Sequence, residues 1–273
     1  MSRGKAFLSF VKLFFTDTKY LLKELLKYTN EAEKRIYVQK KLDFKTGLPL
    51  VDLAEIVPHF TEEISNYTFL EGTSHTIDIA FIKAVCRQYE RCNYLEIGSW
   101  RGESLFNIAP VVSQCTSISF SPDQVLSRFN NKIMANSLRI FSKGIKNVRH
   151  IEADSLTFNF DSINEKFDVI FVDGDHTYEG VKSDTQNAFR MLKDESSIII
   201  FHDCGFAFED NRYEVIAGII DGAPPEKRQF IYRVSNTLCG IYTTRKLNLL
   251  KKTNPQFPNK VFTVQIKQEP FLT

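Results

Sequence analysis

The chain has 273 residues, 43% of them hydrophobic and 25% charged, with a formal net charge of +2. That length supplies one large domain or two small ones with a substantial core, and the composition excludes collagen, low-complexity disorder and a polytopic membrane protein. The charge is uneven: residues 1–45 hold 11 Lys/Arg against 5 Asp/Glu, and the remainder 24 against 28, so the acidic body argues against nucleic-acid binding, which uses a basic face.

Residues 5–27 predict an amphipathic helix. At 100° per residue Phe7, Leu8, Phe10, Val11, Phe14, Phe15, Leu21, Leu22, Leu25 and Leu26 share a broad face, and Lys5, Lys12, Lys19, Lys23 and Lys27 lie opposite. Such a helix closes a core, packs on a second subunit in a homo-oligomer, or lies in a membrane interface. Residues 28–75 read as a connector, with turns at Gly47-Leu48-Pro49 and Glu71-Gly72-Thr73. Residues 1–75 therefore form an N-terminal extension, and 76–273 the main domain. Thr76–Glu90 opens that domain as a helix, with Ile77, Phe81, Ile82, Val85 and Tyr89 at core spacing.

From Asn93 short apolar runs alternate with helical stretches. The strands are Tyr94–Gly98, Thr116–Phe120, Val148–Ala153, Phe167–Asp173 and Ser197–His202, with helices at Ser104–Val112, Gln124–Ile140 and Tyr178–Leu192. This alternation predicts an α/β fold with a doubly wound, mostly parallel sheet. Phe230–Val234 and Cys239–Thr243 close it as an antiparallel hairpin. Ligands in such folds sit at the carboxyl ends of the strands. No apolar run reaches 18 residues. Cys86, Cys92, Cys115, Cys204 and Cys239 form no CxxC pair, which fits a reducing cytoplasm.

The first strand ends Leu95-Glu96-Ile97-Gly98-Ser99-Trp100-Arg101-Gly102-Glu103-Ser104. Gly98 and Gly102 bracket a tight turn that lets the backbone approach a ligand. It is not GxGxxG and has no Walker Lys, so no phosphate cradle is implied. The fourth strand ends Val172-Asp173-Gly174-Asp175-His176-Thr177-Tyr178 and the fifth Phe201-His202-Asp203-Cys204.

ExGxxxG followed by DGxHxY and an HD pair resembles the class I S-adenosylmethionine-dependent methyltransferases, in the small-molecule O-methyltransferase branch related to catechol, macrolide-sugar and cephalosporin-pathway enzymes. The resemblance spans about residues 76–245 and implies a Rossmann-like sheet of seven strands. It also implies a methyl transfer to a hydroxyl of a small molecule, with a saccharide or glycosylated metabolite preferred. The implied cofactor contacts are Glu96, Gly98, Ser99, Gly102, Ser104, Ser119, Asp154, Ser155 and Asp173. The implied metal ligands are Asp173, His202 and Asp203, with Asp173 also catalytic and His176 as the general base. Oxygen ligands suit Mg²⁺, and the imidazole brings in Mn²⁺, Fe²⁺ or Zn²⁺. Ser119 departs from the pattern, standing where an acid usually binds the ribose. The alternatives are a metal-independent enzyme of the same fold, or a non-catalytic module whose N-terminal helix binds a partner or the inner face of a membrane.

Overall fold

The computed structural model describes residues 3–42, 47–253 and 255–271. In chain order the elements are α1 (Arg3–Thr16), α2 (Thr18–Leu42), β1 (Leu50–Val51), α3 (Leu53–Ile56), α4 (Thr76–Cys86), β2 (Asn93–Ile97), α5 (Glu103–Ile108), β3 (Gln114–Ser119), α6 (Pro122–Phe129), α7 (Lys132–Asn136), β4 (Val148–Glu152), β5 (Val169–Val172), α8 (Tyr178–Met191), β6 (Ile198–Phe201), α9 (Tyr213–Gly222), β7 (Ile231–Val234) and β8 (Gly240–Tyr242). The strands form one sheet in the order β1-β7-β8-β6-β5-β2-β3-β4. All neighbours are parallel except β8, which runs antiparallel to β6 and β7. This is the doubly wound Rossmann-like sheet with its closing hairpin.

The sheet has eight strands where seven are expected. The additional one, β1, comes from the connector and is only two residues long, too short to show a pattern. Arg233 N donates to Pro49 O and Ser235 N to Val51 O, which fixes β1 on the edge. β5 and β6 are buried at every position, which is what their unbroken apolar runs require of strands covered on both faces.

Two predicted helices are each broken in two. The amphipathic stretch splits at Asp17, whose Oδ1 accepts from Tyr20 N and so caps α2. The second half of α2 docks on the body through fully buried Val38, and Glu31 accepts from Tyr213 N and Glu214 N. That carboxylate satisfies otherwise orphaned donors at the start of α9. Gln124–Ile140 divides into α6 and α7 because Asn130 turns left-handed (φ +49°) and Asn131 caps the next helix by accepting from Met134 N. Residues 43–46 of the connector lie outside the described residues. Among the described residues no helix is long and apolar enough to cross a membrane.

Candidate active site

Register places the site. Ile97 pairs with Val172 and Val172 with Phe201, so the next residues, Gly98, Asp173 and His202, stand side by side. The strand order reverses on either side of β2, which makes this the switch point where ligands of doubly wound sheets bind.

Gly98 (φ +91°) and Gly102 (φ +86°) both take left-handed backbone. The first would otherwise drive a Cβ into the Asp173 carbonyl, and the second into the Ser142 side chain. Both glycines therefore serve close packing within the protein, and both also line the cleft above the turn. Between them Ser99 lines a cleft of about 300 Å³ with Gly72, Ser74, Glu96, Trp100, Ser104 and Asp173. The Ser99 hydroxyl is buried without an aligned partner.

Glu96 is fully buried and its oxygens are both engaged. Ser104 Oγ donates to Oε1 (2.8 Å) and Tyr94 Oη to Oε2 (2.9 Å). Burial raises its pKa to about 7, against the pull of those two hydroxyls. Ser104, one of the implied cofactor contacts, is thus first a partner of Glu96.

Past the strand ends two carboxylates meet two imidazoles. His176 Nε2 lies 2.8 Å from Asp203 Oδ2 and 3.7 Å from Asp173 Oδ1. His202 Nδ1 lies 3.1 Å from Asp173 Oδ1 and 3.3 Å from Asp203 Oδ1. Neither nitrogen has a hydrogen bond in line with these contacts. Ligand atoms of Asp173, His176 and Asp203 all lie within 4.8 Å of one another, a spacing that suits one metal ion. His202 faces the same group from beneath and is anchored by fully buried Asp78, whose Oδ2 is 3.1 Å from its Nε2.

The electrostatics follow from this packing. Burial works against charge on Asp173, yet the His202 and His176 imidazoles hold its carboxyl well below the usual range. Asp173 and then Asp203 raise His176 to about 9. His202 is also raised, because the carboxylates of Asp173 and Asp78 outweigh its burial. His176 is the most open of the four, 42% exposed against 20% for Asp173 and 8% for His202, so it faces an incoming molecule. Asp203 holds φ +53°, and Arg212 donates to its Oδ2 at 3.1 Å. Strain of this kind concentrates at functional sites.

Other strand ends are occupied by internal partners. Ser119 Oγ accepts from Arg139 at 3.3 Å, and Arg139 also pairs with Glu152. A guanidinium therefore stands beside the position where an acid was expected. Asp154 pairs with Arg128 and accepts from Leu156 N. Ser155 lies beside Asp184. Asp184 is fully buried, neither oxygen meets a donor in line, and burial raises it to about 7.

The segment before α4 closes the site from above. Thr68 N and Thr73 Oγ1 donate to Glu103, Arg101 reaches the Glu71 carbonyl, and Ser74 Oγ donates to Asp173 Oδ2 at 3.0 Å. Sequence reasoning missed Ser74, Asp78, Arg139 and Arg212 as site residues. Only Asp78 left a signal, a charge within the apolar spacing of α4.

Residues 95–204 match a family model described as a methyltransferase domain. No curated protein matches the chain. Among solved structures, an O-methyltransferase from Bacillus cereus in complex with SAH is 18% identical, covering 63% of this chain and 81% of that one, with a TM-score of 0.42. An SAH-bound methyltransferase from Podospora anserina is 16% identical over 63% and 80%, with a TM-score of 0.42. A SAM-bound amino pentose methyltransferase from Micromonospora echinaspora is 15% identical over 51% and 58%, with a TM-score of 0.37.

Proposed function

We propose that this chain, which carries a methyltransferase domain at residues 95–204, moves the methyl group of S-adenosylmethionine to a hydroxyl of a small molecule. The observation that carries the reading is the group of Asp173, His176 and Asp203, whose Asp173 also lines the cleft over the Gly98–Ser104 turn. The cleft suits the amino-acid half of the cofactor, with the buried Ser99 hydroxyl and the 98–104 turn as its floor.

In the reaction the acceptor oxygen attacks the sulfonium methyl, the C–S bond breaks, and its electron pair stays on sulfur. Without an ion the hydroxyl proton goes to Nε2 of a neutral His176; with that nitrogen engaged on an ion, the acidified hydroxyl would release it to water. Positioning of oxygen against methyl supplies most of the acceleration. The donor set fits a divalent ion: two carboxylates, one imidazole, and nitrogens with no aligned hydrogen bond. Asp173, His176 and Asp203 would hold it, with His202 and Asp78 orienting Asp173. Bound there, such an ion lowers the pKa of a hydroxyl as a Lewis acid does. Mixed oxygen and nitrogen donors suit Mn²⁺, Fe²⁺ or Zn²⁺ alongside Mg²⁺. The motif resemblance suggests a saccharide or glycosylated acceptor.

A second reading dispenses with the metal. Two carboxylates face two imidazoles, so the group is balanced in charge by itself. Calorimetric titration of S-adenosylhomocysteine with Mn²⁺ or with EDTA tests both. Micromolar binding supports the cofactor, and turnover that survives chelation favours the second reading. No binding in either buffer overturns the enzyme.

A further inference from the structure

Residues 4–28 leave an apolar face that the fold does not cover. Across the break at Asp17 backbone hydrogen bonds still link α1 to the first turn of α2, with Asp17 N donating to Leu13 O and Leu21 N to Asp17 O. Among the described side chains of residues 4–28 none is buried. Phe7, Leu8 and Phe15 are 66%, 68% and 80% exposed, and Phe10, Phe14, Leu22, Leu25 and Leu26 are exposed with them. These are the residues that share the apolar face of the wheel. The core they might have closed is already complete beneath α2, where Val38 and Glu31 make the docking contacts.

Water does not tolerate a continuous aromatic and leucine face of this length without a partner. Two features of the face select among partners. The apolar arc spans nearly half the wheel, far wider than the narrow seam that pairs two helices of a coiled coil. The opposite face carries Lys5, Lys12, Lys19, Lys23 and Lys27, against only Asp17 and Glu24 in the same stretch. A broad Phe/Leu face backed by lysines matches a surface that is apolar below and anionic above.

We propose that residues 3–28 lie in the interface of an anionic lipid bilayer, with the Phe/Leu face in the acyl boundary and the lysines among the headgroups. Lys27 sits over the Phe206 ring, 5.1 Å from its centroid, and Phe206 belongs to the loop that leaves Asp203. The same Phe206 ring carries Arg212, the partner of Asp203. Docking therefore sets the mouth of the candidate site beside the membrane surface, within reach of an acceptor hydroxyl at headgroup level. The docking itself holds whether or not the methyl-transfer reading does.

Co-sedimentation of the full chain with vesicles tests this, using phosphatidylcholine alone and phosphatidylcholine mixed with phosphatidylglycerol. The chain is expected to pellet with the anionic vesicles only, and to be released as salt rises. Lys12→Gln and Lys19→Gln should each weaken binding about fivefold, the size expected for one lysine near an anionic surface. Phe7→Ser with Phe14→Ser should abolish it while thermal unfolding of the body stays unchanged. Absence of pelleting with anionic vesicles overturns the proposal, as does equal pelleting with neutral ones. A tight dimer in sedimentation velocity that the double Phe variant dissociates overturns it too, because a second copy then covers the face.

Discussion

Asp78 and His202 stand 124 positions apart in the chain and meet in the interior, with Asp78 Oδ2 3.1 Å from His202 Nε2. The other oxygen of Asp78 accepts from Leu238 N at 2.9 Å. A charged pair buried to this degree stabilises little by its presence but costs much when one partner is removed. Asp78→Asn keeps an oxygen for Leu238 N and removes only the charge facing His202. It should destabilise the protein by about 3 kcal/mol in urea unfolding. Loss of the anchor should also lower Mn²⁺ affinity about tenfold, as changes behind a ligand commonly do.

The donor set makes a sharper prediction for metal. Asp173→Asn, Asp203→Asn and His176→Gln should each weaken Mn²⁺ binding by at least about tenfold in calorimetry. Asp175→Asn should not, because Asp175 spends its carboxylate on Thr177 N and Oγ1 in the turn before α8. Equal losses in all four variants would mean that no ion is held at this spacing.

A pH profile reports on His176. Its pKa is raised to about 9 by Asp173 and Asp203, so the proton-accepting neutral form is about 1% of the protein at pH 7. Methyl transfer by the chelated protein should therefore rise about tenfold per pH unit and level off near pH 9. His176→Gln should flatten that limb. A profile already level at pH 7 would remove His176 as the base.

Asp184 predicts a stability change of opposite sign to the usual carboxylate. Its pKa rises from 3.8 unfolded to about 7 folded, so between those values the folded state holds a proton that the unfolded state has lost. Stability then falls as pH rises through that window, by up to about 4 kcal/mol. Asp184→Asn should remove this slope, gaining more at pH 8 than at pH 4. Thermal unfolding across pH checks it.

Two glycines separate strain from collision. Gly98 and Gly144 share nearly the same backbone, φ +91° and +85°, yet a Cβ on Gly98 meets the Asp173 carbonyl and one on Gly144 meets nothing within 4 Å. Gly98→Ala should cost more than about 3 kcal/mol, against about 1 kcal/mol for Gly144→Ala.

The sequence made the strand ends legible because parallel strands bury both faces and so stand out as unbroken apolar runs. Once those runs are placed, Asp173, His176, His202 and Asp203 fall at their ends without further information. What holds these residues was not legible. Asp78 sits among apolar residues of α4, and its partner is defined only by three-dimensional packing. Arg139 reaches Ser119 from a left-handed residue (φ +62°) in a loop, where side-chain direction follows no period. The split of the first helix turns on one aspartate that caps its successor, a competition between local hydrogen bonds that periodicity does not register.

Ser74 and Asp78, which brace Asp173 and His202, both lie upstream of residue 95. The donor atoms and their supports are therefore inherited from different stretches of the chain. An exchange between relatives at the start of the methyltransferase match would carry Asp173, His176, His202 and Asp203 into a new host and leave their supports behind. Chimeras crossed at that point should keep the motif and lose its alignment, while a crossover ahead of α4 should transplant both.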